Sequence, residues 1–236
     1  MDARFPLVSC ICLTHNSIDL LHRSIKCFLQ QIYPSKELIV TFSENNLGAA
    51  DLVAQLNNSS IKTVLFSSEK KITLGEKRNL AISYANGYYI CNWDDDDWHD
   101  QKRIETQVHH LTNTKYKAST LSKIILYDGT SSDAYLSATR WGWEQTLLCE
   151  KSLFDNAEWQ YQSLDRGEDS PLIYKLKQQD LLVSIPSPEL YIYVYHSNNV
   201  FHRNHWEVNL LPWAEKLPPD RAAVVRQLLS GDGNRW

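Results

Sequence analysis

The chain has 236 residues, 43% hydrophobic and 22% charged, enough for one large globular domain or two small ones with a real core. A formal net charge of −4 and the lack of a basic stripe argue against a nucleic-acid partner. Met1 to Arg4 begin no basic-then-apolar leader, and no apolar run reaches the ~18 residues of a membrane span, so neither a signal peptide nor a crossing helix is expected.

In chain order, the apolar run Leu7 to Leu13 predicts a buried strand. Asn16 or Ser17 then offers an N-cap to a helix with Ile18, Leu21, Ile25, Phe28 and Leu29 at helical spacing, stopped by Pro34. Glu37 to Phe42 reads as a second strand, Ala49 to Leu56 as a short helix and Ile61 to Phe66 as a third strand. Gly75 to Asn86 reads as a helix closed by Gly87, and Tyr88 to Trp93 as a fourth strand. Alternating strands and helices imply an α/β fold with a largely parallel sheet, whose ligands bind beyond the carboxyl ends of the strands. After a helix near Asp100 to Leu111 the pattern turns mixed. Strands are expected at Lys123 to Tyr127, Thr146 to Cys149 and Leu190 to Tyr195, with helices at Ser170 to Gln178 and near Arg221 to Leu229. No linker divides the halves, so the second half is expected to continue the first sheet. Five cysteines in apolar runs predict buried free thiols in a reducing compartment. Cys10-x-Cys12 without a second pair is a weak zinc signal.

The fourth strand delivers four consecutive aspartates, Asp94 to Asp97, followed by Trp98. Carboxylates in a row repel one another, and a folded domain that keeps them together usually supplies a hard cation such as Mg²⁺, Ca²⁺ or Mn²⁺. A solvated acidic loop is the plainer alternative. The loop after the first strand, with Thr14 and Asn16, falls on the same sheet edge. Lys77 and Arg78 occupy the first turn of a helix, where anions are favoured. They either pair with Glu76 and the aspartates, or join that helix end in facing a phosphate. In Gly167-Glu168-Asp169-Ser170-Pro171, Asp169 is a helix cap, a general base, or both, a helix start being expected to keep its carboxylate ionised. His196 ends a strand and is a metal ligand, a donor to a leaving phosphate, or a surface or structural residue. Trp141-Gly142-Trp143, flexible at its centre, is a sugar platform or a packed loop.

Taken in order, Val8 to Asn16, Glu37 to Val40, Leu74 to Ala81, Trp93 to Trp98, Glu168-Asp169 and His196 to Asn199 resemble the family 2 inverting glycosyltransferases of the GT-A fold. The resemblance covers roughly residues 6 to 202. It implies a Rossmann-like central sheet flanked by helices, with a nucleotide-binding half over about 1–112 and an acceptor-binding half over about 113–204. A tail over 205–236 would pack on the domain, a membrane or a partner.

The resemblance further implies a metal-dependent, inverting transfer of a sugar from a nucleotide sugar, with uridine the expected nucleoside, to a glycan or lipid-linked acceptor. Thr14, Asn16, Glu44, Lys77, Arg78, Asp94 and Asp95 would serve the donor. Asp96 and His196 would hold Mn²⁺ or Mg²⁺, and Asp95 or Asp97 could share the aspartate roles because the register of four identical residues is ambiguous. Asp169 would be the base, and Trp141, Trp143, Glu168 and Asn199 would serve the acceptor or a lid. Phe42-Ser43-Glu44 departs from the family's usual pair of aspartates after the second strand. The implied location is cytoplasmic, peripheral at the inner face of a membrane. A phosphatase of the aspartyl-phosphate type fits poorly, since its motif sits on the first strand. A nucleotidyltransferase lacks its Gly-rich basic loop here. A non-catalytic nucleotide- or sugar-binding protein of the same fold is the remaining alternative.

Overall fold

A computed structural model describes residues 5–15, 17–112, 114–196, 199–200 and 203–231. The first half follows the expected order: β1 (Val8–Leu13), α1 (Ile18–Leu29), β2 (Lys36–Ser43), α2 (Leu47–Leu56), β3 (Ile61–Phe66), α3 (Leu74–Ser83) and β4 (Tyr89–Asn92). Then come β5 (Trp98–His99), α4 (Arg103–Leu111), β6 (Ala118–Leu121), β7 (Ile125–Asp128), β8 (Asp133–Leu136), β9 (Leu148–Glu150), α5 (Ser170–Gln178), β10 (Leu182–Ile185) and β11 (Tyr191–Tyr195). A short α6 (Arg203–His205) runs into a π-helical turn (Trp206–Leu210), before β12 (Glu215–Lys216) and α7 (Pro219–Ser230).

A seven-stranded sheet has the order β10-β6-β9-β4-β1-β2-β3, parallel except for β9. Both faces are buried, and the period-two alternation sorts them. Val8, Cys10 and Cys12 pack with α1, α4 and α7, while Ile11, Ile39 and Ile90 pack with α3 and α5. All five cysteines are buried free thiols, as their apolar settings predict.

The second half only partly continues this sheet. β6, β9 and β10 extend it, but β12-β8-β7-β11-β5 form a second sheet of their own. Strands β6, β8 and β10 escape sequence reading because they are four-residue pieces without clean alternation, specified by neighbours rather than by local pattern. Ala222, Val225 and Leu228 of α7 join the same core cluster as β1 and β2, so this part of the tail is packed on the domain. Trp206 is buried and stacked on Tyr193 and Tyr195, whereas Val208 and Trp213 are exposed. Among the described residues no helix is long and apolar enough to cross a membrane.

Candidate active site

Asp94 to Asp97 bridge the two sheets, leaving the end of β4 and entering β5 at Trp98. The loop is fixed through its backbone as well as its side chains. Ser24 donates to the Asp94 carbonyl at 3.0 Å, and Arg23 donates to the Asp96 carbonyl. His99 Nε2 lies 3.1 Å from the Asp94 carbonyl, and its Nδ1 meets the guanidinium of the fully buried Arg103. A guanidinium only donates, so Nδ1 accepts and Nε2 carries the proton. Burial and then Arg103 hold this imidazole well below the usual histidine range, in its neutral form.

The ambiguous register is thereby resolved in three dimensions. Asp97 is fully buried and turned into the second sheet, accepting from the Val194 N–H at 2.8 Å and from the Tyr191 hydroxyl. It is not among the residues lining the cleft, whereas Asp94, Asp95 and Asp96 are; His196 reaches the cleft through Asp96. Asp96 Oδ2 lies 3.1 Å from His196 Nε2 and accepts from Asn199 Nδ2 at 3.2 Å. Burial raises the proton affinity of Asp94, opposed by Arg78 and reinforced by Asp96. Asp95 is pushed up to about 8 by burial and then by repulsion from Asp96. The cluster is therefore electrostatically unsatisfied in the way that invites a cation.

Arg78 lies beneath this loop, 5% exposed. Its Nε donates to Glu168 Oε1 at 2.9 Å and its Nη2 reaches Asp94 Oδ1 at 3.4 Å, while Nη1 has no hydrogen-bond partner among the described residues. Glu76 does not compete for it, being engaged in a capping box with Thr73. The expectation that the start of α3 offers its N–H groups to a phosphate is corrected. Leu74 N donates to Asp165, Gly75 N to the Leu164 carbonyl, Glu76 N to the Thr73 hydroxyl and Lys77 N to the Thr73 carbonyl. The protein itself satisfies all four. Gly75 is required there, because a Cβ would lie 1.8 Å from the Gln162 carbonyl oxygen. Asn79 completes the clasp with bonds to both backbone groups of Tyr161 at 2.8 and 3.0 Å.

Asp169 stands at the N-cap of α5 but makes no side-chain cap bond, so its carboxylate is not consumed by the helix. Burial first, then repulsion from Glu168, push it up to about 7, with Arg78 opposing. Desolvation thus works against the helix start expected to keep it ionised, and the group titrates around neutrality. Glu168, expected at the acceptor, is 3% exposed and paired with Arg78.

Arg78, Asp94, Asp95, Asp96, Glu168, Asp169, Trp143 and Asn199 line one cleft of about 320 Å³. Thr14, at the end of β1, is buried and approaches Asp95. Several expected residues stand apart from the cleft. Lys77 Nζ lies 4.9 Å over the Phe66 ring, and Glu44 is engaged by Ser67 and Ser68. Trp141 meets Tyr174 and Lys177. The centre of Trp141-Gly142-Trp143 is packed rather than flexible, since a Cβ on Gly142 would lie 2.7 Å from Thr120 Oγ1. Asn16 falls outside the described residues. Sequence reading missed Arg140, Arg166, Tyr193 and His205 on the cleft wall. None belongs to a motif, although Arg140 directly precedes the tryptophan pair. A larger groove of about 920 Å³, lined by residues such as Gln160, Gln178 and Lys175, shares none of the cleft residues.

Among known proteins, TuaG of Bacillus subtilis, a putative teichuronic acid biosynthesis glycosyltransferase, is 25% identical over 134 residues, 56% of this chain and 53% of that protein. WfgD of Escherichia coli, a UDP-Glc:alpha-D-GlcNAc-diphosphoundecaprenol beta-1,3-glucosyltransferase, is 30% identical over 102 residues, 43% of this chain and 40% of that protein. The chain thus spans about half or less of these relatives. By fold it is similar to S. aureus TarS 1-349 in complex with UDP-GlcNAc, with a TM-score of 0.68 at 15% identity over 82% of this chain and 60% of that one. The mannosyltransferase PcManGT from Pyrobaculum calidifontis, in complex with GDP-Man and Mn²⁺, gives 0.62 at 17% identity over 84% and 59%. The sheet order, the acidic loop at its edge and these likenesses agree with a GT-A fold. The model of glycosyl transferase family 2 matches residues 9–158, well over half of the chain, and the chain belongs to that family.

Proposed function

We propose that this protein transfers a sugar from a nucleotide sugar, most simply a UDP-sugar, to a hydroxyl of a glycan or lipid-linked acceptor, with inversion and with help from Mn²⁺ or Mg²⁺. The observation that carries the reading is the meeting of Arg78, the Asp94–Asp96 carboxylates and Asp169 on the walls of one cleft. The names of the relatives and the UDP-GlcNAc held by TarS support it by analogy.

Asp96 and His196 fit a divalent ion. They offer one oxygen and one nitrogen 3.1 Å apart, beside the crowded carboxylates of Asp94 and Asp95. Among the described residues no group of three or more His, Cys, Asp or Glu is arranged to hold a metal alone, so the proposed ion would need ligand phosphates and water to complete its shell. Bound there, it would neutralise negative charge on the leaving diphosphate.

Arg78 brings a buried cation whose Nη1 has no hydrogen-bond partner among the described residues, a donor suited to a phosphate or base oxygen of the nucleotide. Asp169, held near 7, is matched to taking a proton from an acceptor hydroxyl at neutral pH. Attack from the face opposite the leaving group inverts the anomeric carbon in one displacement and needs no enzyme nucleophile. Glu168 orients Arg78 and keeps the affinity of Asp169 for its proton high.

Calorimetry against UDP, GDP and CDP, with and without MnCl₂, tests the reading together with release of nucleotide from the corresponding sugar donors. UDP binding strengthened by Mn²⁺ and lost in Asp96→Asn is expected. Binding without turnover across acceptors and donors points instead to a non-catalytic binding protein. Full transfer in excess EDTA removes the metal from the proposal.

A further inference from the structure

We propose that the cleft wall formed by Arg140 and Trp143 is a subsite for an oxyanion, a phosphate or a carboxylate, carried by the acceptor. The proposal rests on the transfer reading above and deepens it by naming a substrate class.

Arg140 lines the cleft, with its guanidinium carbon 4.1 Å from the centre of the Trp143 ring. The platform beneath it is rigid. Trp143 is 4% exposed, its backbone N–H donates to the Leu121 carbonyl at 3.0 Å, and its backbone carbonyl accepts from the Thr146 hydroxyl at 2.6 Å. Gly142 is pressed against Thr120, and Arg140 N donates to the Ser122 carbonyl at 2.8 Å. A stacked guanidinium on a fixed ring has already lost much of its rotational freedom, so less is lost when it binds.

Its charge meets no carboxylate among the described residues. Arg78 has two carboxylates within 4.0 Å, whereas Arg140 has none among the described residues. Its field nevertheless reaches the adjoining wall: burial first, and then Arg140, lower the proton affinity of His205. Asn209 Nδ2 lies 3.0 Å from His205 Nδ1, an amide donor against a ring acceptor, which leaves the ring proton on Nε2. Arg166, on the turn that leads to Asp169, adds a second arginine to the lining.

A substrate that covers Arg140 removes water from its guanidinium. A neutral sugar returns only hydrogen bonds and leaves the cation without a counter-charge, which is unfavourable. An oxyanion returns a paired, charge-assisted contact matched to the guanidinium fork. Glu144 and Asp169 also line the cleft, and their carboxylates repel such an anion. The anion therefore belongs beside Arg140, with the attacking hydroxyl presented separately to Asp169. The shared chemistry is an oxyanion; its source is a sugar phosphate or a uronic acid.

Saturation-transfer NMR on the full chain loaded with UDP and Mn²⁺ tests this with α-D-glucose 1-phosphate, glucuronate and methyl glucoside as probes. At least one anion should bind about tenfold or more tightly than methyl glucoside, roughly the scale of a charge-assisted hydrogen bond. Preference for the phosphate or for glucuronate identifies the source. Arg140→Gln should erase the preference, Arg140→Lys should keep part of it, and UDP affinity should be unchanged in both. Should Arg140→Gln not fold, raising salt from roughly 0.05 to 0.5 M on the unaltered protein should weaken the anions but not methyl glucoside. Equal binding of all three probes overturns the proposal, as does a preference that survives Arg140→Gln. A parallel loss of UDP affinity would assign Arg140 to the donor and also overturn it. Probe binding is read without turnover, so a failure of the transferase reading, seen as absent UDP binding or absent nucleotide release, is recognised separately.

Discussion

Arg78 and Glu168 are ninety positions apart in sequence and meet at 2.9 Å, both almost wholly buried. The pair ties α3 to the turn that carries Asp169, the residue proposed as the base. Removing either partner leaves a buried charge poorly compensated. Arg78→Ala is expected to weaken nucleoside-diphosphate affinity by about 1.5–3 kcal/mol, the range for hydrogen bonds to charged groups. Calorimetry with UDP measures it, and an unchanged affinity would move Arg78 out of the donor site.

Asp169 must be deprotonated to act as a base. With its proton affinity near 7, the rate of transfer or donor hydrolysis should rise with pH through about 7. Glu168→Gln removes a repelling charge and frees Arg78 to act on Asp169; both effects shift that midpoint downward. Asp169→Asn should keep UDP affinity while turnover falls by about 10² to 10⁴. A pH profile that stays in place in Glu168→Gln would separate Asp169 from the proton transfer.

Stability should carry the same signature with a definite sign. Asp95 and Asp169 hold protons up to about 8 and about 7 when folded, against about 3.9 when unfolded. Their contribution is fully present below about pH 4 and is lost as pH rises through 7 and 8. The melting temperature without ligand or metal should therefore fall between pH 6 and pH 8.5. Asp95→Asn should flatten the fall, and a steeper fall in that variant would contradict it.

Asp97 is expected to govern folding rather than ligand contact. Asp97→Ala strands the Val194 N–H and the Tyr191 hydroxyl, costing about 1–3 kcal/mol for each donor left unpaired. Asp97→Asn keeps an acceptor for Val194 and should cost less. Urea denaturation compares the two, and equal stability of Asp97→Ala and the unaltered protein would refute the assignment.

Gly75→Ala sets two effects against each other. Alanine favours the helix by about 1 kcal/mol. Its Cβ, however, would lie 1.8 Å from the Gln162 backbone oxygen, and a backbone strand has no rotamer with which to escape. The loop should lift away, with a net loss of about 1–3 kcal/mol in denaturant titration. A stabilised variant would show that the 160–165 segment is not clasped by α3.

The sequence by itself determined the alternating first half, because its strands are short apolar runs and the segments between them carry helix signals such as the apolar spacing of α1, bounded by breakers such as Pro34 and Gly87. It also pointed to the family, since the order of its motifs resembles that family and the family's model matches residues 9–158. Only the tertiary structure decided how four identical aspartates divide their work. Each has the same side chain, and what differs is the environment: Asp97 meets Tyr191 and Val194, Asp96 meets His196 and Asn199, and Asp94 meets Arg78. The same holds for the start of α3, whose N–H groups are filled by Leu164 and Asp165 from a distant loop, and for Arg140, placed on the cleft by a packed turn rather than by any motif. Local pattern reports the propensities of neighbours along the chain, whereas burial and pairing are set by residues that become neighbours only on folding.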